Sequence, residues 1–255
     1  MTNGDSPKLT VTIVTLFPNL FRCWLEQGVV SRAVEKGIAV VRLLDLRPFG
    51  IGRHQVTDDY PFGGGAGMVM KPEPLFAAVE SIGRRQETPV ILMTPAGRMF
   101  NQRIAESLAE RQNLVLVAGH YEGVDERVRE HLVTDELSIG DFVISAGELA
   151  AMVVTDAVVR LLPGALAEES TAEESFVSGL LEYPQYTRPA TFRDWEVPDI
   201  LLSGHHAEIA RWRRREALRR TFERRPDLLE TTALDDAELA LLAEWRESRV
   251  TPAEE

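Results

Sequence analysis

Apolar and polar positions alternate at the start of the chain, with Leu9, Val11 and Ile13 set against Thr10 and Thr12, and predict a strand over 9–17 that Pro18 ends. Helical spacing follows over 19–36, and a second strand is expected over Ala39–Leu46. A loop rich in Gly and Asp then runs from Arg47 to Gly67. Loops of this length usually have work to do or are disordered. Beyond it the pattern predicts a helix over Leu75–Gln86, a strand over Pro89–Met93, a helix over Asn101–Arg111, a strand over Asn113–Ala118 and a helix over Asp125–Leu132. Phe142–Ile144 is a further apolar, β-rich run, and Glu148–Leu162 is a mostly apolar helix stopped by Pro163-Gly164. Strand and helix in alternation imply an α/β fold with a parallel sheet.

The last helix carries a polar stripe, since Glu148, Asp156 and Arg160 are spaced by multiples of four. An Asp156–Arg160 pair on one helix would explain part of it. A site or a partner subunit facing the stripe would explain all of it. Periodicity is lost over 165–200, where Glu168, Glu169, Glu173 and Glu174 precede Tyr183-Pro184-Gln185-Tyr186-Thr187-Arg188-Pro189, so an interdomain linker is expected. From Gly204 onward the chain is helical over 205–224, broken near Pro226, and helical again over Asp235–Arg249 with Asp235 or Asp236 as N-cap. The expected division is 1–163 for the α/β domain, 164–200 for the linker and 201–255 for a small all-α domain.

Composition adds three constraints. The 255 residues are 44% hydrophobic and 27% charged, enough for a sizeable core. A single cysteine, Cys23, excludes an intrachain disulfide. No apolar run reaches the roughly 18 residues of a membrane span, and Met1–Lys8 is polar and does not resemble a signal peptide, so a cytoplasmic location is expected. A net charge of -12 argues against a nucleic-acid partner until its distribution is read. Arg211, Arg213, Arg214, Arg215, Arg219, Arg220, Arg224 and Arg225 crowd one helical segment, interrupted only by Glu216 and Glu223 among charged residues. Either a solvated, ion-paired face or an RNA-binding surface results.

Candidate chemistry concentrates in residues 119–148, where glycines stand beside carboxylates directly after the apolar runs Leu114–Ala118 and Phe142–Ile144. Ligand loops at strand ends have this composition. Several classes lose support. Gly63-Gly64-Gly65-Ala66-Gly67 lacks the dinucleotide fingerprint and no strand immediately precedes it, which disfavours a nicotinamide oxidoreductase; no Walker-type phosphate loop occurs. His54, His120, His131, His205 and His206 show no metal spacing with Cys23, and no Gly-x-Ser-x-Gly elbow is present.

Together Leu16-Phe17-Pro18, Asp58-Asp59-Tyr60-Pro61-Phe62-Gly63-Gly64-Gly65-Ala66-Gly67-Met68, Gly119-His120-Tyr121-Glu122-Gly123-Val124-Asp125-Glu126-Arg127, Ser138-Ile139-Gly140-Asp141 and Tyr186-Thr187-Arg188-Pro189 resemble the bacterial tRNA (guanine-N1)-methyltransferase family of the SPOUT superfamily. Leu202-Ser203-Gly204-His205-His206-Ala207 and Arg211-Trp212-Arg213 extend the resemblance, which covers about residues 9–230. It implies a SPOUT-type parallel sheet with a C-terminal trefoil knot that binds S-adenosylmethionine, and a helical C-terminal domain that grips tRNA. It also implies a homodimer with each active site at the subunit interface, a Mg2+ requirement, and 1-methylguanosine immediately 3′ of the anticodon, which maintains the reading frame.

Carried over residue by residue, the resemblance implies a cofactor pocket of Met93, Thr94, Pro95, Gly119, Tyr121, Glu122, Ser138, Ile139, Gly140, Phe142, Ile144, Ala146 and Gly147. Ala146 stands where a second glycine is usual and Ala150 where a proline is usual, and a methyl at Ala146 would crowd the cofactor if that position needs positive φ. Asp58 and Gly67 match residues used around the target guanine, with Arg53, His54 and Arg213 as RNA contacts.

The chemistry sets its own terms. Guanine N1 must lose its proton as it attacks the methyl, and negative charge then collects on O6. The resemblance assigns the base to Glu174, where Asp is usual, and the cation to Arg160, with the segment between them one residue shorter than in relatives; Glu173 is the alternative base. An ordinary Glu lies roughly five pKa units below guanine N1, about 7 kcal/mol uphill, so the anion needs stabilisation. The competing expectation is a tRNA-binding protein of the same fold with impaired transfer.

Overall fold

The computed structural model describes residues 7–167 and 174–250. It divides into two compact units, Met1–Glu168 and Glu169–Glu255. Among the described residues no helix is long and apolar enough to cross a membrane.

The first unit is an α/β layer structure. Strands β1 (Leu9–Thr15), β2 (Ala39–Asp45), β5 (Val90–Met99), β6 (Asn113–Ala118) and β7 (Asp135–Ser138) form one sheet in the order β2-β1-β6-β5-β7. All four pairings are parallel, for example Ile13 opposite Leu43 and Leu116, and Leu92 opposite Val117 and Glu136. A parallel sheet is covered on both faces, so its central strands are apolar on both sides. Leu9, Val11, Ile13, Leu114 and Leu116 pack with helices α2 (Gly28–Glu35), α4 (Gln102–Ala109) and α6 (Gly147–Val159). Val14, Val90, Leu92, Val115 and Val117 pack with α3 (Pro72–Ser81) and α5 (Glu126–His131) on the other face. Two short strands outside the sheet, β3 (Asp58–Asp59) and β4 (Val69–Met70), pair antiparallel and fold the glycine-rich loop back on itself.

Three sequence expectations are corrected here. The helix expected over 19–36 is broken into a 3-10 turn at Pro18–Phe21, a short α1 (Arg22–Leu25) and α2, because Gln27 is extended and Gly28 has φ +83°. The strand expected at Pro89–Met93 runs on to Met99, with an irregularity between Met93 and Arg98. The apolar run Phe142–Ile144 is loop, and Val143 is 90% exposed. The strand that precedes it, β7, was hidden in the pattern because Asp135 and Glu136 are polar. Asp135 is neutralised by Arg98, 37 residues earlier, at 2.5 Å, and Glu136 by Arg129, one helix back in the chain, at 2.7 Å.

The second unit has a small core of Leu180, Ala217, Leu218, Phe222 and Leu242. It comprises a hairpin of β8 (Thr191–Phe192) and β9 (Trp195–Glu196), and helices α7 (Asp199–Leu202), α8 (His206–Arg224) and α9 (Asp236–Val250). Asp235 and Glu238 cap α9 reciprocally: Glu238 N–H donates to Asp235 Oδ1 at 2.8 Å and Asp235 N–H to Glu238 Oε2 at 3.0 Å. Within the stretch expected to be a linker, residues 174–183 pack on this unit. Leu180 is buried, Leu181 N–H donates to Thr221 Oγ1 at 2.8 Å, and Arg220 Nη1 donates to the Glu182 carbonyl at 3.3 Å. Of the apolar residues in this stretch only Leu180 is buried, while Phe176 and Val177 are exposed, so the apolar positions follow no period. Glu168, Glu169, Glu173 and the acidic tail Pro252–Glu255 lie outside the described residues.

Candidate active site

The carboxyl ends of β5, β6 and β7 point the same way, and the loops that leave them surround one cavity of about 380 Å³. Its walls include Met93, Thr94, Pro95, Gly119, Tyr121, Glu122, Ser138, Ile139, Gly140, Phe142, Ile144, Ala146 and Gly147. Three segments, at 93–95, 119–122 and 138–147, thus meet at one point, which is where parallel α/β sheets place ligands.

Close backbone approach builds the floor. Gly147 N–H donates to the Gly119 carbonyl at 2.7 Å, seating the first turn of α6 on the end of β6. A Cβ at Gly147 would lie 2.7 Å from Gly119 N and 2.9 Å from Ala118 Cα, so no side chain fits. Gly140 has φ +152°, and a Cβ there would meet the Phe142 ring. Ser138 Oγ donates to the Gly140 carbonyl at 3.2 Å and holds that turn. Ala146 is extended, with φ -168° and ψ 167°, a conformation any residue adopts. The expected crowding by its methyl therefore lacks its premise of positive φ.

A second loop locks onto this wall. Glu122 N–H donates to the Met68 carbonyl at 3.0 Å, Met70 N–H to the Gly123 carbonyl at 2.9 Å and Asp125 N–H to the Met70 carbonyl at 3.0 Å. Gly67, at φ +81°, lies so close to Glu122 that a Cβ would overlap its side chain. Tyr121 holds φ +58° and stacks on His120 with ring centroids 4.8 Å apart. Burial, followed by the charge of the neighbouring Asp58, raises the Tyr121 phenol above its ordinary range, so the phenol keeps its proton at neutral pH. Asp58 and Gly67 are thus beside the cavity wall. Neighbouring Asp59 is exposed and paired with Lys71 at 3.4 Å; the Tyr60 N–H and then Lys71 hold its carboxyl below the usual range.

A family profile described as tRNA (Guanine-1)-methyltransferase TrmD matches residues 9–231. The tRNA (guanine-N(1)-)-methyltransferase of Brevibacillus brevis is 54% identical over 242 residues, covering 94% of this chain and 100% of the relative. Those of Geobacillus kaustophilus and Listeria monocytogenes are 53% and 50% identical, each over 94% of this chain and 100% of the relative. The chain belongs to the TrmD family.

Within that family frame the remaining candidate residues are more dispersed. Arg160 caps the carboxyl end of α6, its N–H bonded to the Asp156 carbonyl at 3.1 Å, whereas the amino end of the same helix forms the cavity floor. Thirteen helical residues separate the two ends by about 20 Å. Glu148, the first member of the polar stripe, is only 1% exposed and accepts from Thr15 Oγ1 at 2.7 Å, so it faces the protein interior. Glu174 is half-buried at the start of the described part of the second unit, where its carbonyl accepts from Val177 N–H at 3.3 Å. Arg53 and His54 stand on the exposed turn between Ile51 and Val56, and neither lines the cavity. Arg213 is half-buried, its guanidinium 4.8 Å from the Tyr183 ring centroid.

Reading the motifs missed several cavity residues, including His120, Ser145 and Arg129. The first two lie inside stretches already singled out. Arg129 had no local signal, since it reaches the wall only by pairing with Glu136 across α5 and β7.

Proposed function

We propose that this chain transfers the methyl group of S-adenosylmethionine to N1 of the guanine immediately 3′ of the anticodon in tRNA. The cavity carries this proposal. It gathers all thirteen residues expected to hold the cofactor, and its glycine-lined floor and backbone amides suit a flat, polar-edged adenosine. When bound, S-adenosylmethionine supplies an electrophilic methyl on a sulfonium. The protein does the rest. Backbone N–H and C=O groups of the loops at 119–123 and 138–146 orient the cofactor, and Asp58 accepts a hydrogen bond from the Watson–Crick edge of the guanine. Glu174 takes the N1 proton, and Arg160 donates to O6 as charge develops there.

A homodimer is part of the proposal. Arg160 sits about 20 Å along α6 from the cavity of its own chain, so a second copy is the natural recipient of its guanidinium. The same helix exposes Leu149 (54%) and Val153 (48%), one turn apart, an apolar strip that a second copy would cover. Mg2+ belongs to the proposal as a family expectation. Among the described residues no group of three His, Cys, Asp or Glu side chains is gathered to hold a metal ion. Mg2+ often uses one or two carboxylates together with substrate phosphates.

The test is transfer of labelled methyl from S-adenosylmethionine to two tRNA transcripts that differ only in G or A immediately 3′ of the anticodon, with and without Mg2+. Label on the G transcript alone is expected. No label on either, with the cofactor bound, would replace the proposal with a tRNA-binding protein that has lost transfer.

A further inference from the structure

Residues 185–196 are all exposed, yet Thr191–Phe192 and Trp195–Glu196 pair as a hairpin and Val197 N–H closes it on the Ala190 carbonyl at 2.9 Å. Its turn holds Arg193 and Asp194. Phe192 is 57% exposed and Trp195 64%, with ring centroids 6.1 Å apart. The Arg193 guanidinium lies over both rings, 5.4 Å from the Phe192 centroid and 5.7 Å from that of Trp195.

Two features set this cluster apart from ordinary surface. Arg193 has φ +56°, a backbone region that Asn or Gly usually fills in two-residue hairpin turns. Outliers of this kind gather where a side chain must be presented in one direction. Among the described residues no hydrogen bond or ion pair engages the Arg193 guanidinium, although other arginines of the same unit, such as Arg214, Arg219 and Arg225, are paired with carboxylates.

We infer that Phe192, Arg193 and Trp195 form a stacking contact for an unpaired base of the RNA substrate. The inference rests on tRNA being that substrate. Two π faces and a planar cation with free donors match a nucleobase and its phosphate, and aromatic stacking tolerates any base. A protein partner fits less well, because stable interfaces use about 20–30 residues a side and this hairpin is far smaller. Charge alone is not what the hairpin offers, since Asp194 and Glu196 offset Arg188 and Arg193.

The experiment measures binding of the full-length protein to a tRNA transcript over a range of salt, together with S-adenosylmethionine binding and sedimentation. Trp195→Ala and Phe192→Ala are each expected to weaken tRNA binding about 5- to 150-fold, with the salt slope, cofactor affinity and oligomeric state unchanged. Trp195→Phe is expected to restore most of the loss. Wild-type affinity in both alanine variants would overturn the inference, as would a change in oligomeric state, which would make the hairpin a subunit contact. Trp195-dependent tRNA binding by a protein that transfers no methyl would overturn the proposed function and leave this inference standing.

Discussion

The cavity at the strand ends and the arginine-rich helix α8 are both candidate binding regions, and they are built in opposite ways. The cavity has a floor of backbone and glycine, walled by larger side chains such as Tyr121 and Phe142 and held by a sheet buried on both faces, so its shape follows from dense packing. The helix carries seven arginines between 211 and 224, with Arg225 as its C-cap, on a unit whose buried apolar core comprises five described residues. Several of those arginines are committed internally: Arg214 pairs with Glu238 at 2.6 Å, Arg219 with Glu216 at 2.7 Å and Arg225 with Asp227 at 2.6 Å. A recognition surface can therefore be rigid and sparing of charge, or charged with part of that charge spent on holding the unit together.

The largest effect that would sharpen this contrast is chemical. Glu174→Gln is expected to lower kcat about 10²- to 10⁴-fold while sparing S-adenosylmethionine binding. Undiminished single-turnover transfer would remove Glu174 from the role of base and direct attention to Glu173.

Next comes the small core. Leu218→Ala should cost about 2–5 kcal/mol, enough to unfold the helical unit. Calorimetry should then show loss of that unit and of tRNA binding, with the cofactor still bound by the first unit. Loss of cofactor binding in the same variant would break the contrast, because the two regions would not be energetically separate.

Gly147→Ala tests the packed wall directly. The added methyl meets backbone 2.7–2.9 Å away, and overpacking of this kind costs about 1–3 kcal/mol. A fall in Tm of about 2–4 °C per kcal/mol and weakened cofactor binding are expected. An unchanged melt would mean that α6 is free to shift.

The smallest effect concerns the loop beside the cavity. Asp125 caps α5 and is held by Arg127, first through their side-chain hydrogen bonds, so its carboxyl titrates below its ordinary value near 3.8. A depressed folded pKa contributes stability above the unfolded value and loses it as pH falls through the folded one. Asp125→Ala should cost about 1 kcal/mol at neutral pH, and the difference from wild type should shrink below pH 3.8. A difference independent of pH in urea titrations would assign the effect to packing instead.

Much of the site was legible because glycine-rich and small-residue motifs have few other uses. Gly119, Gly140 and Gly147 were identifiable as residues and did prove to line one cavity. Less legible were features that depend on partners in other elements. Asp135 and Glu136 make β7 look polar until Arg98 and Arg129 are placed against them. The stacking of Arg213 on Tyr183, thirty residues earlier, likewise left no trace in the local pattern.

By itself the sequence determined the α/β class, the family, and which residues line the cavity at the strand ends, because periodicity and motif identity are local properties that need no coordinates. The tertiary structure decided which residues share a surface. It set Ala146 in extended backbone, wedged Gly147 against Gly119, sent Arg160 to the far end of α6, and left Phe192 and Trp195 in solvent. The meeting of Gly147 with Gly119 depends on where the chain returns after 28 residues, and that is settled by packing summed over the whole core, which no short stretch of sequence contains.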